Sequence, residues 1–205
     1  ALYKFAQGGS MDELATVPKH AVHDRGFTRC AVHQQTQRTY AIGDDDEGNQ
    51  ALFLLDANLQ VVATFEATGA IPEDVDGSYK PIRDVVAVHG DQVIVLTSNS
   101  HTKGSGLRLL DLDGRFLRTI ATGRFMNPRA VAASHGRAFV VDDDDDEQGT
   151  VLHVIDIQSG DVLQSVHLEL QGSVSEILVD GDEIYISTRF GADEVLVLQF
   201  AGSEA

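Results

Sequence analysis

Cysteine occurs once in this chain of 205 residues, at Cys30, and lysine four times, at Lys4, Lys19, Lys80 and Lys103. A single cysteine cannot form an internal disulfide and excludes a zinc site built from several thiolates. In "TRCAVH" it stands among apolar neighbours and is expected to pack as a small buried hydrophobe. Bases are scarce altogether: Lys plus Arg number 15 against 32 Asp plus Glu, a formal net charge of −17. A field of that sign repels phosphate backbones, which argues against nucleic acid and favours basic proteins, basic peptides or divalent cations as partners. The same bias serves solubility and resembles halophilic or marine protein surfaces. No apolar run reaches the length of a membrane span and no signal-peptide pattern is present, so the chain reads as soluble, with a lean to the cytoplasm. Catalytic signatures are missing as well: there is no G-x-S-x-G elbow, no H-E-x-x-H, no P-loop and no G-x-G-x-x-G. Nor is there a sustained helical period, apart from one turn's worth in "MDELATV".

What the chain does contain is a repeat. "RTYAIGDDDEGNQALFLLDANLQVVATFEA" (38–67) matches "RAFVVDDDDDEQGTVLHVIDIQSGDVLQSVHL" (137–168), both reading strand, acidic loop, strand, tight turn, strand. "DQVIVLTSNSHTKGSGLRLLDLDGRFLRTIAT" (91–122) is a third copy, and "DEIYISTRFGADEVLVLQFAG" (182–202) is a shorter fourth. Asp56, Asp111 and Asp156 mark the register at about 45–55 residues, the period of propeller blades, and an insertion at 70–80 lengthens the first interval. One more apolar strand precedes each copy: "TRCAVH", "RDVVAVH", "PRAVAASH" and "VSEILVD". With strands named a to d from the centre outwards, the expectation is an all-β propeller of about four four-stranded antiparallel blades. The last copy stops after strand c, and "LYKFAQGG" or the following "DELATV" is the strand expected to complete it and close the ring; the alternative is a share in a larger ring. Residues 1–23 read as an N-terminal segment, with a linker or cloning remnant at 8–11 and a native start at Met11, ahead of a propeller domain at 24–205. A parent longer than this chain is equally compatible with the reading.

"FMNPRAVAASHGRAFVVDDDDDEQGTVLHVIDIQSGDVL" resembles an NHL-type propeller repeat: Pro ahead of strand a, a Gly turn into b, an acidic residue ending b, and hydrophobic-Asp-x-x-Gly ending c. "KPIRDVVAVHGDQVIVL…LRLLDLDGRFL" carries less of the pattern. The resemblance implies the propeller fold. NHL rings usually have six blades, against four copies here, and fold does not imply function.

Three sets of side chains are candidates for a site. Asp44, Asp45, Asp46 and Glu47 occupy the b–c loop of the first copy, and Asp142, Asp143, Asp144, Asp145, Asp146 and Glu147 the same loop of the third. In a four-blade ring these two lobes face each other across the axis and focus negative potential on it, suiting a basic peptide or Ca2+. The EF-hand pattern is absent, and a solvated turn accounts for the same residues. His33, His89 and His135, with Asp180 in the fourth copy, end strand a; facing inward they make a donor set for Zn2+, and otherwise they cap turns. His101, His153 and His167 fall outside that register and are expected on loops or blade surfaces. Arg29, Arg83 and Arg129 lie near the start of strand a, where they suit an anionic ligand or inter-blade ion pairs to Asp84 or Glu176. The functional expectation is a non-catalytic binding or scaffold domain that presents an acidic face to a protein, basic peptide or cation, with no certain cofactor. The alternative is a metal-dependent propeller enzyme, a lyase or lactonase, working through the His/His/His/Asp ring.

Overall fold

A computed structural model describes the backbone of residues 2–5, 11–15, 27–44, 50–66, 82–97, 106–144, 149–189 and 193–200. The insertion at 70–80 and residues 8–10 of the expected linker at 8–11 lie outside these residues. Every regular element described is a strand. β1 (Leu2–Phe5) and β2 (Met11–Ala15) form a hairpin. Blade 1 is β3 (Phe27–His33), β4 (Arg38–Asp44), β5 (Gln50–Leu55) and β6 (Val61–Glu66). Blade 2 is β7 (Ile82–His89), β8 (Gln92–Thr97), β9 (Gly106–Asp111) and β10 (Phe116–Ile120). Blade 3 is β11 (Pro128–Ser134), β12 (Arg137–Asp144), β13 (Gly149–Asp156) and β14 (Val162–Leu168). Blade 4 has three strands, β15 (Ser173–Asp180), β16 (Glu183–Arg189) and β17 (Val195–Gln199). Each blade is an antiparallel meander in chain order.

Local chemistry explains the repeat. The aspartate ending strand c folds the c–d turn over its own carboxylate. Oδ1 of Asp56 accepts from the N–H groups of Asn58 and Gln60, both at 2.9 Å, and Oδ1 of Asp111 from Asp113 and Arg115 at 2.9 and 2.8 Å. Oδ1 of Asp156 accepts from Ser159 N–H at 2.6 Å. These are Asx turns, which let a short polar side chain stand in for backbone pairing. The last turn residue takes a left-handed φ: 79° at Gly114 and 82° at Gly160, but also 60° at Leu59. The difference follows from neighbours. A Cβ on Gly114 would run into the ring of Phe65, on the outer strand of blade 1, and one on Gly160 would stand 3.0 Å from Cβ of Ile120, on the outer strand of blade 2. Each outer strand thus presses an apolar side chain onto the next blade's turn, and only glycine fits beneath.

The middle strands of blades 2 and 3 are apolar on both faces because each of these blades is covered by a neighbour on both sides. The face of blade 1 that carries Ala31, Tyr40 and Leu54 packs on Val93, Val95 and Leu110 of blade 2. Ile94, Leu96 and Leu109 of blade 2 meet Val131, Val140 and Ile155 of blade 3. Phe139, Leu152 and Val154 of blade 3 meet Val174, Ile184 and Ile186 of blade 4. Backbone acceptors tie the seams: Tyr40 O–H donates to Leu112 O at 2.7 Å, and the Arg118 guanidinium to Ile157 O at 2.8 Å.

Between blade 4 and blade 1 the arrangement changes. Among the described residues no buried apolar cluster joins these two blades; Ala41, Phe53 and Leu55 form a separate cluster within blade 1. At the inner rim the Arg29 guanidinium of β3 donates to Ser175 O of β15 at 2.8 Å. Among the described residues β1 pairs with β2, and no further strand is described beside β17. Leu178, Val195 and Val197 are accordingly 60, 61 and 51% exposed.

Candidate functional site

The b–c loops and the starts of the inner strands lie at one end of the blades, and pairing registers put their residues into correspondence. Every inner strand carries one extra residue near its start: Thr28, Arg83, Arg129 and Ser175. Such a bulge turns the strand and re-aims side chains at its start. Arg83 and Arg129 are therefore equivalent, whereas Arg29 falls one place later, level with Asp84, Ala130 and Glu176. Arg29 Nε lies 3.9 Å from Glu176 across the fourth seam, and Arg129 Nε lies 3.4 Å from Asp143 within blade 3. The side chain of Arg83 lies outside the described residues.

The acidic run of blade 3 divides. Asp142 is buried, at 4% exposure, and both its oxygens accept backbone protons, from Met126 N–H at 2.9 Å and Asn127 N–H at 2.7 Å. It fastens the incoming d–a connection to strand b. Gly43, Thr97 and Thr188 hold its place in the other blades. Thr97 O–H donates to Gly106 O at 3.1 Å, so a hydroxyl there secures the b–c connection. Asp143 lies against Arg129 and accepts from Thr150 O–H at 3.4 Å. The strands run on to Asp144, paired with Gly149, and in blade 1 to Asp44, paired with Gln50. Asp45, Asp46, Glu47, Asp145, Asp146 and Glu147 lie outside the described residues.

At the opposite end, His33 and Asp180 are level, each closing its strand's pairing, opposite Arg38 and Glu183. Ser134 is level with them in blade 3, and His135 sits one residue on, in the turn with φ 50°, where its Nδ1 is 2.8 Å from Ser134 Oγ. His33 is buried with Nδ1 2.6 Å from Thr36 Oγ1, a turn-capping contact. The side chain of His89 lies outside the described residues. Among the described residues no three His, Cys, Asp or Glu side chains gather as a metal site.

Cys30 departs from expectation. It is exposed, on the blade 1 face that no apolar cluster joins to blade 4 among the described residues. Enough of the chain still surrounds the sulfur to desolvate its thiolate, and with Glu176 nearby this raises the thiol's pKa.

Two basic side chains on middle strands escaped the sequence reading. His153, expected on a loop or blade surface, is on β13 with its side chain 16% exposed. Its Nε2 is 3.8 Å from Asp142 Oδ2, its Nδ1 2.8 Å from Ser165 Oγ, and its ring 5.7 Å from that of Phe125. Arg108 holds the equivalent place in blade 2, opposite Val95 as His153 is opposite Val140. Phe53 and Leu196 hold it in blades 1 and 4. Arg108 is 6% exposed, and burial alone lowers its pKa from the usual arginine value. The signal available in the sequence was a lone arginine inside the apolar strand "GLRLLD".

No family model matches the chain, and no curated protein matches it. Solved structures do. BamB from Moraxella catarrhalis matches at a TM-score of 0.50 and 14% identity, over 93% of this chain and 52% of that one. The Dos1 propeller matches at 0.51 and 10%, over 87% of this chain and 49% of that one. The nidogen/laminin complex matches at 0.52 and 12%, over 87% and 77%. The chain is a β-propeller. This propeller spans about half the length of the BamB and Dos1 chains. No described helix is long and apolar enough to cross a membrane.

Proposed function

We propose that this propeller is a non-catalytic binding domain of the NHL-repeat kind that presents an acidic face to a protein or basic peptide. The observation that carries the reading is the division of the acidic run. Asp142 is consumed in fastening the blade, while β12 and β13 stay paired out to Asp144 and Gly149, so the remaining acids of the run belong to the connection between two paired strands. Blade 1 repeats the geometry at Asp44 and Gln50, so two acidic lobes rise from the same end of the domain. With a net charge of −17, that end attracts cations over the distance of a Debye length. The NHL reading rests on Pro128 opening β11, Gly136 at φ 73° in the a–b turn, Asp142 near the end of strand b and Asp156 folding the c–d turn. Propeller neighbours include one solved in complex with laminin, which makes protein recognition a fitting use of the fold.

Calorimetric titration with an octalysine peptide tests it. Binding is expected to weaken with salt, and to fall at least tenfold when both lobes are neutralised together (D45N/D46N/E47Q with D144N/D145N/D146N/E147Q). Equal affinity in the neutralised variant would overturn the reading. A parallel Ca2+ titration decides whether the lobes take a cation in place of a peptide.

A further inference from the structure

Blade 4 packs on blade 3 through Ile177, Ile184 and Ile186, and its other face is a grid of three rows. Pairing sets Glu176, Ser187 and Val195 side by side, then Leu178, Tyr185 and Val197, then Asp180, Glu183 and Gln199. Strand alternation sends all of them to the side away from blade 3. Leu178, Val195 and Val197 are more than half exposed there. In blade 1 the matching face is a seam: the row Ala31, Tyr40, Leu54 packs on blade 2, and the Tyr40 hydroxyl donates to Leu112 O. Tyr185 holds the place of Tyr40, but its hydroxyl turns back on its own strand and donates to Glu183 Oε2 at 2.5 Å.

The third row shows what kind of cover this face suits. In blade 1 its strand-b member is Arg38, which reaches across the seam to Leu112 O at 3.1 Å and Asp113 Oδ1 at 2.9 Å. In blade 3 it is Arg137, whose guanidinium stands 4.5 Å over the Phe200 ring of blade 4. In blade 4 it is Glu183, directly opposite Asp180. Two blades reach out with a cation, and the last reaches out with an acid. Like charges set directly opposite repel, and a cation laid over them relieves the repulsion. The first row changes in the same sense, with Glu176 and Ser187 where blade 3 has Ala130 and Val141. Arg29 lies 3.9 Å from Glu176, whereas the third row contains no base. A second copy of this chain would bring turn carboxylates like Asp113 against Glu183 and Asp180, so charge argues against it as the occupant.

We propose that this face of blade 4 docks a segment of another protein in which aliphatic side chains are flanked by lysine or arginine. The aliphatic centre covers Leu178, Tyr185, Val195 and Val197, and the flanking bases lie over Asp180 and Glu183. Asp180 and Glu183 close their strands at the end opposite the b–c loops. The surface is therefore separate from the acidic lobes, and the inference does not rest on them.

Fluorescence-polarisation titration tests it, using the full chain with both acidic lobes neutralised so that this face alone is read. The probe is a labelled peptide of sequence KKLVLVLKK. It is expected to bind, and octalysine, which lacks the apolar centre, is expected to bind at least tenfold more weakly. Val197→Asp is expected to lower the affinity for KKLVLVLKK at least tenfold and to leave the unfolding midpoint near that of its parent, because Val197 is exposed. D180K/E183K, which keeps the apolar row, is expected to reverse the preference from KKLVLVLKK to EELVLVLEE. Absence of binding, unchanged affinity in Val197→Asp, or an unreversed preference in D180K/E183K overturns the proposal. So does self-association that Val197→Asp abolishes, for then a second copy covers the face. The wild-type response to octalysine reads the lobes, so failure of the function proposed above and failure of this surface are told apart.

Discussion

Blades 3 and 4 carry the same pattern in the same register, yet one is interior and the other is surface. Across blade 3 the row Ala132, Phe139, Val154 is buried against blade 4. Across blade 4 the corresponding row is Leu178, Tyr185, Val197, in which both aliphatic members are more than half exposed. The third strand of blade 3 is mostly buried, whereas β17 alternates between exposed and partly buried along its length. Blade 4 also lacks the turn aspartate: Gln199 stands where Asp156 stands in blade 3. Apolar residues in a strand therefore specify a face able to be buried. Whether it is buried depends on the next sheet.

The largest expected effect sharpens this contrast. Phe139→Ala is expected to cost about 3–5 kcal/mol in urea unfolding, because it empties a site filled from both blades, including the Phe200 ring 5.7 Å away. Val197→Ala, in an equivalent row, is expected to stay within about 0.5 kcal/mol. Equal losses would break the comparison. Next in size is Asp142→Ala, expected to cost about 1–3 kcal/mol because two backbone N–H groups lose the buried carboxylate that accepts from them. Thr188→Val, at the matching position of blade 4, removes a hydroxyl whose contacts with Glu194 are 3.3 and 3.5 Å, and is expected to cost about 0.5–1 kcal/mol.

The smallest effect is a pH dependence. Hydrogen bonding from the Ser159 backbone holds the Asp156 carboxyl below the usual carboxylate value, so its contribution to stability is present above the unfolded-state pKa and is lost as pH falls through the folded-state one. Asp156→Ala is expected to flatten the acid limb of the stability curve slightly. Gln199→Ala, at the uncharged counterpart, is expected to leave that limb unchanged, and acid titrations of unfolding midpoints compare the two.

Much of the fold was legible because it is written locally. Alternating apolar residues, Asp-bounded turns and Gly114 and Gly160 after them all act within a few residues, and all recur in register. The candidate site was less legible. "DDDDD" reads as uniform, but Asp142 is a buried fastener and Asp143 faces Arg129, since strand alternation and the bulge at Arg129 send neighbouring carboxylates to different surroundings. Arg29, Arg83 and Arg129 looked alike by position, and only the pairing showed Arg29 to be one place out.

By itself, then, the sequence determined the number of repeats, their strand order, the turns and the sign of the surface field, because these depend on short-range backbone chemistry and on composition. Only the tertiary structure decided which apolar faces are covered, that β1 pairs with β2, that Cys30 is exposed, and that Arg108 is buried at a position whose counterpart in blade 3 holds a histidine beside an aspartate. Burial and pairing of charge are properties of the space between sheets, and that space exists only once residues distant in the chain have come together.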